Sequence, residues 1–491
     1  MLIINENLLV YVLIFPVIGI LLLCFMPARK KMLLRFVALN ISFLSFLGSL
    51  FLCCAFNKSS GFFQFVTEFE WFPILNLNFS LGVDGISLFF LLLTTLLIPL
   101  CILISWNSIN YNLKKFLIYF LILDFLLIGV FSVLDLLFFY IFFESVLIPM
   151  YLIIGVWGSR ERKILAGYYF FLYTLLGSVV MLISVIYILK QVGTTDYETL
   201  LTFSFSNFEQ KFLWFCFFLS FASKVPMVPV HLWLPEAHVE ASTAGSVLLA
   251  GVLLKLGTYG FIRFSLPLFP QASFFFTPLV YSISVISVIY SSFTAIRQTD
   301  FKRIIAYTSI AHMNVVMLGI FSFNTIGIEG AILQSLSHGF VASALFLVIG
   351  VVYERYRTRL VQYYGGLATV MPIYIIIFCF FTIANISFPG TSSFVGEFLI
   401  LAGSFKVNTT ITVIGATGVI IGAAYSLWLF NRIAFGNLKT QYTQTFFDVS
   451  FREFMVFLPL ILGTFIIGIY PNIFLTSIHM SVNYLVELLN F

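Results

Sequence analysis

The sequence predicts an all-α polytopic membrane protein of about fourteen transmembrane helices, with two inverted five-helix repeats and broken helices at spans 7 and 12. Three observations carry that prediction. First, 61% of the 491 residues are hydrophobic and 9% are charged, whereas a soluble domain carries about 25% charged residues. So little charge cannot cover a water-facing surface, which excludes a soluble enzyme, a nucleic-acid binder and a disordered scaffold. Second, the apolar residues gather into runs of the ~20 residues that cross a bilayer as a helix. Third, the few basic residues sort to one face of the map those runs define.

In order, the runs fall at about 8–25, 33–55, 86–104, 114–131, 134–155, 166–190, 212–230, 245–265, 275–295, 301–320, 329–352, 370–404, 410–431 and 454–475. The first follows an almost uncharged start, neither a basic leader nor an Arg/Ser-rich transit peptide, and is expected as a retained span of a chain inserted during synthesis. The 62 phenylalanines point to an AT-rich genome. Between spans two and three, Asn57–Gly82 alternates in polarity, with Phe65, Phe69 and Phe72 among Gln64, Glu68 and Glu70. That pattern predicts a short hairpin.

The expected units are 1–113 (three N-terminal spans), 114–265 (the first five-helix repeat), 266–432 (the second) and 433–491 (the last span and tail). Five is odd, so the second unit enters the membrane from the opposite face. The inversion is read from topology, not from identity between the halves.

Of the 25 basic residues, Lys58, Lys190, Lys211, Arg263 and Lys406 fall in loops on the face that holds both termini. Lys224 and Lys255 fall inside spans seven and eight. The other eighteen, Lys302 and Arg359 among them, fall in loops on the opposite face. Cytoplasmic or matrix loops collect Lys and Arg, so the eighteen-charge face is expected on that side.

Two spans contain breakers. Span seven runs Ser223-Lys224-Val225-Pro226-Met227-Val228-Pro229-Val230-His231, where Pro226 removes a backbone donor and frees the carbonyl of Ala222. Span twelve contains Asn385-Ile386-Ser387-Phe388-Pro389-Gly390-Thr391, followed by Glu397. Non-helical backbone survives at membrane depth only where protein or water satisfies it. Paired breaks in two halves point to an ion site.

The charges left inside are the candidate site. Glu144, mid-span in Phe142-Phe143-Glu144-Ser145, costs several kcal/mol unless paired or protonated. It reads either as a structural ion pair or as a proton carrier with Lys224 as its partner. Lys255 lies about ten residues into its span, too deep to snorkel comfortably. Glu397, eight residues past Pro389, reads as a helix-interior carrier or as an anion near a new helix N-terminus. His312 and His338, within spans ten and eleven, read as packing groups or as a relay. His231, Glu236, His238 and Glu240 resemble metal-ligand material, but Pro235 is expected to break a shared helical face, which favours a polar entrance or re-entrant turn. His231, His238 and Asp135 are therefore weaker candidates. Asp135 reads as the start of span five, and Asp124, inside span four, is weaker again.

Such groups suffice energetically for pumping. Moving one proton against about 200 mV requires roughly 4.6 kcal/mol, or roughly three pKa units, and burial or a neighbouring charge changes a Lys or Glu pKa by up to about 3–5. The six cysteines form no C-x-x-C pair and read as small hydrophobes. No phosphate loop, H-E-x-x-H, or flavin or iron–sulfur ligand pattern is present. The sequence therefore predicts no cofactor and no metal on this chain.

At these residues the chain resembles a known family. Phe143-Glu144-Ser145-Val146-Leu147-Ile148-Pro149-Met150, the long run from Lys224 to Ala241, Leu253-Leu254-Lys255-Leu256-Gly257-Thr258-Tyr259-Gly260, Ser337-His338-Gly339 and Phe388–Phe398 are similar to the antiporter-like membrane subunits of NADH:ubiquinone oxidoreductase, respiratory complex I. The likeness covers essentially the whole chain and is to the mitochondrially encoded, plant- or protist-like form. It implies a multi-pass protein of the mitochondrial inner membrane, or the plasma membrane in a bacterium. It implies partners among the other membrane-arm subunits, especially neighbouring antiporter-like ones, together with membrane lipids and no nucleic acid. NADH, FMN, iron–sulfur clusters and ubiquinone would be used by the complex on other subunits.

The resemblance also implies roles. Glu144 and Lys224 would pair near one half-channel, Lys255 would be the central relay, His312 and His338 would bridge the halves, and Glu397 would be the terminal carrier. Sibling subunits carry Lys at that last position, so Glu397 marks one branch. A tail expected to be short after about Ser477 lacks the long lateral helix of another branch. The alternative reading is a subunit of a multisubunit cation/proton antiporter, without redox partners.

Overall fold

The computed structural model describes residues 7–73, 76–439, 441 and 447–489. Its helices are α1 (Leu8–Phe25), α2 (Lys31–Ala55), α3 (Gly85–Ser108), α4 (Leu113–Ser132), α5 (Leu136–Ser145), α6 (Leu147–Trp157), α7 (Lys163–Val192), α8 (Tyr197–Thr202), α9 (Asn207–Lys224) and α10 (Trp233–Glu240). There follow α11 (Thr243–Leu268), α12 (Pro270–Arg297), α13 (Phe301–Ile320), α14 (Thr325–Tyr356), α15 (Pro372–Asn385), α16 (Ser392–Val407), α17 (Thr409–Ala434), α18 (Phe451–Ile469) and α19 (Asn472–Leu489). α5 and α6 continue as one span, Leu136–Trp157.

Among the described residues, twelve helices are long and apolar enough to cross a membrane. The two expected spans that fall short are the two with breakers. α9 stops at Lys224 instead of continuing to 230, and the expected span at 370–404 is two helices, α15 and α16.

Several starts have a local cause. Asp84 caps α3 and exchanges hydrogen bonds with Ser87. Ser206 with Glu209 and Ser450 with Glu453 form the same reciprocal box before α9 and α18. Asn324 caps α14, and Pro270 and Pro372 take first-turn positions where no backbone donor is needed.

Burial sorts the helices into an inner and an outer set. α11 and α14 are buried along their whole spanning windows, whereas only a third of α1, α2, α7, α17 and α18 is buried. The outer helices present Phe51, Leu176 and Ile420 outward, as lipid-facing surfaces do. The innermost helices are those that carry Lys255 and His338.

The expected hairpin is present as β1 (Gln64–Phe72) antiparallel to β2 (Leu77–Val83), with Thr67 opposite Leu81 and Phe69 opposite Phe79. Its aromatic side rests on the start of α5, where Phe138 meets Phe79 at 5.1 Å and Trp71 at 5.6 Å between ring centroids.

The tail differs from expectation. The last span ends at Ile469, not near 475, and residues expected as a short tail form α19, which packs on α3 and α14. Pro471 separates the two helices, and α19 alternates Ser477, Ser481 and Asn483 with apolar residues, so it carries too little hydropathy to read as a span.

Candidate functional site

α11 is not a uniform α-helix. Residues Leu249–Leu253 and Phe261–Ser265 are π-helical, and Lys255 lies in the α-helical turn between them. A π segment widens the turn and re-aims its groups. Here the fully buried Lys255 ammonium donates back to the carbonyl of Ala250 inside the first π segment. Its second partner is His338 Nδ1, at 2.8 Å. An ammonium only donates, so while Lys255 is charged, His338 Nδ1 accepts and the ring proton sits on Nε2.

The far end is built the same way. His312 Nδ1 lies 2.8 Å from Glu397 Oε1, and Gln334 Nε2 donates to the same oxygen at 2.9 Å. Glu397 is the sixth residue of α16, beyond the first turn where the helix dipole acts. Side chains of α13 and α14 therefore hold it, not the helix end. Gly396 makes this possible: a Cβ there would stand 2.7 Å from Gln334 Cα. The His312 and His338 rings are 5.9 Å apart between centroids and inclined by 48°. Each ring spends Nδ1 on its own neighbour, and neither Nε2 has a protein hydrogen-bond partner. The order is thus Lys255, His338, a gap, His312, Glu397.

Glu144 and Lys224 lie close enough to interact electrostatically, but the expected direct pair is not formed. Ser178 Oγ donates to Glu144 Oε1 at 2.7 Å. Lys224 Nζ stands 4.6 Å from the ring centroid of Phe143, the residue before Glu144. Lys224 is the last residue of α9, and the chain turns away there, which aims its stem at the ring face. α11 approaches α9 closely at Gly257, where a Cβ would meet Phe221 O at 2.8 Å and Lys224 Cβ at 3.1 Å. This glycine brings the Lys224 helix against the Lys255 helix.

Protein groups satisfy both breaks. Past Lys224, Met227 N donates to the freed Ala222 carbonyl at 3.1 Å, Val228 N to Ser287 Oγ at 3.0 Å, and Trp233 Nε1 to Ser223 O at 2.8 Å. Asn314 Nδ2 reaches Pro226 O at 3.4 Å. In the second break, Ser387 and Gly390 adopt positive φ of 61° and 94°. Ser337 on α14 meets Ser392 and Ser393 at 2.7 and 2.8 Å.

The weaker candidates separate. Asp135 caps α5, accepting from Leu137 N, Phe138 N and Thr195 Oγ1 at 2.8, 3.0 and 2.6 Å. Asp124 is buried against Ser45, with its Oδ2 accepting at 3.0 Å, away from the central groups. His231 packs edge-on to Tyr290. His238 is stacked on Phe346 at 4.5 Å, within electrostatic range of Lys255 and Lys302. Pro235 sits in the first turn of α10, which starts at Trp233, so His231 lies outside the helix that carries Glu236, His238 and Glu240. Among the described residues no group of His, Cys, Asp or Glu is placed to hold a metal ion.

Several buried polar residues escaped sequence reasoning. Lys302, expected in a loop, is 2% exposed and donates to Ala241 O at 2.8 Å and Ser246 Oγ at 3.2 Å. Arg359 and Arg263, also expected in loops, are buried as well. Gln334 carried no charge to draw attention; its only sequence signal was its place one turn before His338 on an apolar helix.

A closed bundle of apolar helices with buried lysine, histidine and glutamate at its centre is the architecture of a membrane-arm, antiporter-like subunit. A family model described as NADH:quinone oxidoreductase/Mrp antiporter, TM, matches residues 133–423. The chain is 59% identical to NADH-ubiquinone oxidoreductase chain 4 of Chondrus crispus, across 97% of this chain and 96% of that one. It is 57% identical to the chain of the same name in Arabidopsis thaliana, across 96% and 95%. It is 48% identical to NADH-quinone oxidoreductase subunit M of Rhodobacter capsulatus, across 92% and 90%. A chain of respiratory complex I from Thermus thermophilus, solved with bound NADH, superposes with a TM-score of 0.89 at 30% identity, across 98% of this chain and all of that one. The chain belongs to the chain 4 family of NADH–ubiquinone oxidoreductase.

Proposed function

We propose that the chain translocates protons within the membrane arm of NADH:ubiquinone oxidoreductase, along Lys255, His338, His312 and Glu397. The observation that carries this reading is the pair of 2.8 Å contacts, Lys255 to His338 and His312 to Glu397, lying end to end with Lys255, His338 and Glu397 buried and His312 nearly so. Positioned acids and bases within hydrogen-bond reach are what proton transfer requires. Glu144 and Lys224 form the upstream element: approach of the carboxylate holds the proton on Lys224, and withdrawal releases it toward Lys255. Uptake is assigned to the basic face, which faces the mitochondrial matrix, and His238 lies at that end of the path. Asp135 and His231 are assigned structural parts.

The units read as 114–265 and 266–432, inverted repeats of five helices each within fourteen spans. Support comes from the two breaks, one in each unit, which flank the buried groups. NADH, FMN, iron–sulfur clusters and ubiquinone do their chemistry on other subunits of the complex, and neighbouring antiporter-like subunits are the partners.

The test is NADH-driven acidification by the whole complex in proteoliposomes. Lys255→Ala is expected to lower the protons moved per NADH while the assembled complex still reduces quinone. A wild-type ratio would refute the assignment.

A further inference from the structure

α11 carries a second buried cation. Arg263 stands eight residues beyond Lys255, about 12 Å along the axis, in the second π segment, with Tyr259 between them. Its Nη2 donates to Asp84 Oδ1 at 2.5 Å, and both side chains are almost wholly buried. Asp84 is fixed in turn as the cap of α3, where its Oδ1 also accepts from Ser87 N at 3.0 Å. The rings of Phe63, Tyr259 and Tyr197 surround the guanidinium carbon at 4.9, 5.5 and 5.7 Å. Arg263 Nε donates to the Tyr259 hydroxyl at 3.3 Å, and that hydroxyl donates to Phe131 O at 3.4 Å.

Outside this pair lies a cavity of about 520 Å³, on the hairpin face, lined among others by Asp84, Arg263, Asp196, Glu198, Ser481 and Tyr484. Asp196 and Glu198 add two carboxylates to its lining. The cavity therefore reaches the far end of the helix that holds the central lysine, and it meets Arg263 there. Buried side chains, Tyr259 and Ile262 among them, fill the space between Lys255 and this cavity. A proton on Lys255 would leave sideways through His338 or, if that fill opened, along its own helix to the cavity. Only the first does transport work through Glu397.

We propose that Arg263, clamped by Asp84, is a charged plug that closes the Lys255 helix toward the hairpin face. A guanidinium does not deprotonate in a protein, so it cannot relay. A fixed cation in a narrow path also repels protons and other cations. Arg263 touches no carrier and acts by blocking, so it is a positioning residue. The inference rests on Lys255 being a proton carrier.

The experiment uses the whole complex in proteoliposomes enclosing a pH dye, with passive proton conductance after a pH jump measured without NADH. Arg263→Gln combined with Asp84→Asn removes both charges and strands neither. The expected result is a several-fold rise in passive conductance and fewer protons moved per NADH, with quinone reduction retained. Adding Lys255→Ala should return the conductance to the wild-type level, and Arg263→Lys should behave as wild type. Arg263→His supplies a second test that needs no charge deletion: its leak should be small at acid pH and grow as the imidazole loses its charge. Wild-type conductance in the double variant, or a pH-independent wild-type leak in Arg263→His, overturns the plug. So does a leak that survives Lys255→Ala. Full pumping by Lys255→Ala alone would instead refute the carrier assignment, so the two failures are distinguishable.

Discussion

Lys255 Nζ and His338 Nδ1 are 2.8 Å apart, although 83 residues separate them in the chain. Two bases in contact at full burial can share one proton but not carry one each without a large electrostatic penalty. The contact therefore defines a site for a single excess proton. His338→Ala should uncouple the complex about as fully as Lys255→Ala, and the double variant should be no worse than either. Proton-transfer groups of this kind contribute roughly 10²–10⁴-fold. Dye-quenching rates in proteoliposomes check the non-additivity.

Gln334 offers a subtler test. Its Nε2 shares Glu397 Oε1 with His312 Nδ1. Hydrogen bonds to a charged group contribute about 1.5–3 kcal/mol, so Gln334→Leu should slow turnover-coupled pumping by about tenfold or more. Abundance of the complex on native gels should stay close to wild type, because leucine fills a similar volume.

Gly257→Leu should fail at assembly. A single Cβ already meets Val225 Cγ2 at 2.6 Å and Phe221 O at 2.8 Å, and overpacking of this kind costs about 1–3 kcal/mol or more. The expected readout is a loss of assembled complex, with Gly257→Ala intermediate.

Asp135→Ala should separate stability from transport. The carboxylate holds two backbone donors of α5, a capping interaction of about 0.5–2 kcal/mol. The variant complex should melt at a lower temperature, while protons moved per NADH in the surviving complex stay at the wild-type value. A reduced ratio would place Asp135 on the transport path after all.

Spans were legible because twenty apolar residues in a row have few alternatives. The central groups stood out in the sequence because a mid-span charge such as Lys255 or Glu397 is costly in a membrane unless it is paired or neutralised. Charges at span ends were not. A window of hydropathy cannot tell a lysine that reaches water from Lys302, which turns inward to Ala241 O and Ser246 Oγ. Arg263 was hidden for the same reason, and its partner Asp84 lies 179 residues away. The missing direct contact between Glu144 and Lys224 depends on where Phe143 turns its ring, which only packing decides. The amphipathic α19 has a helical period but too little apolar length to register as a crossing.

Neither histidine Nε2 has a protein hydrogen-bond partner, and the two rings stand 5.9 Å apart between centroids. On the proposed path, a continuous row of contacts from Lys255 to Glu397 would work as a pipe, flowing whichever way the gradient pushed. A row interrupted once would work as a turnstile, passing one proton each time the rings or their surroundings move.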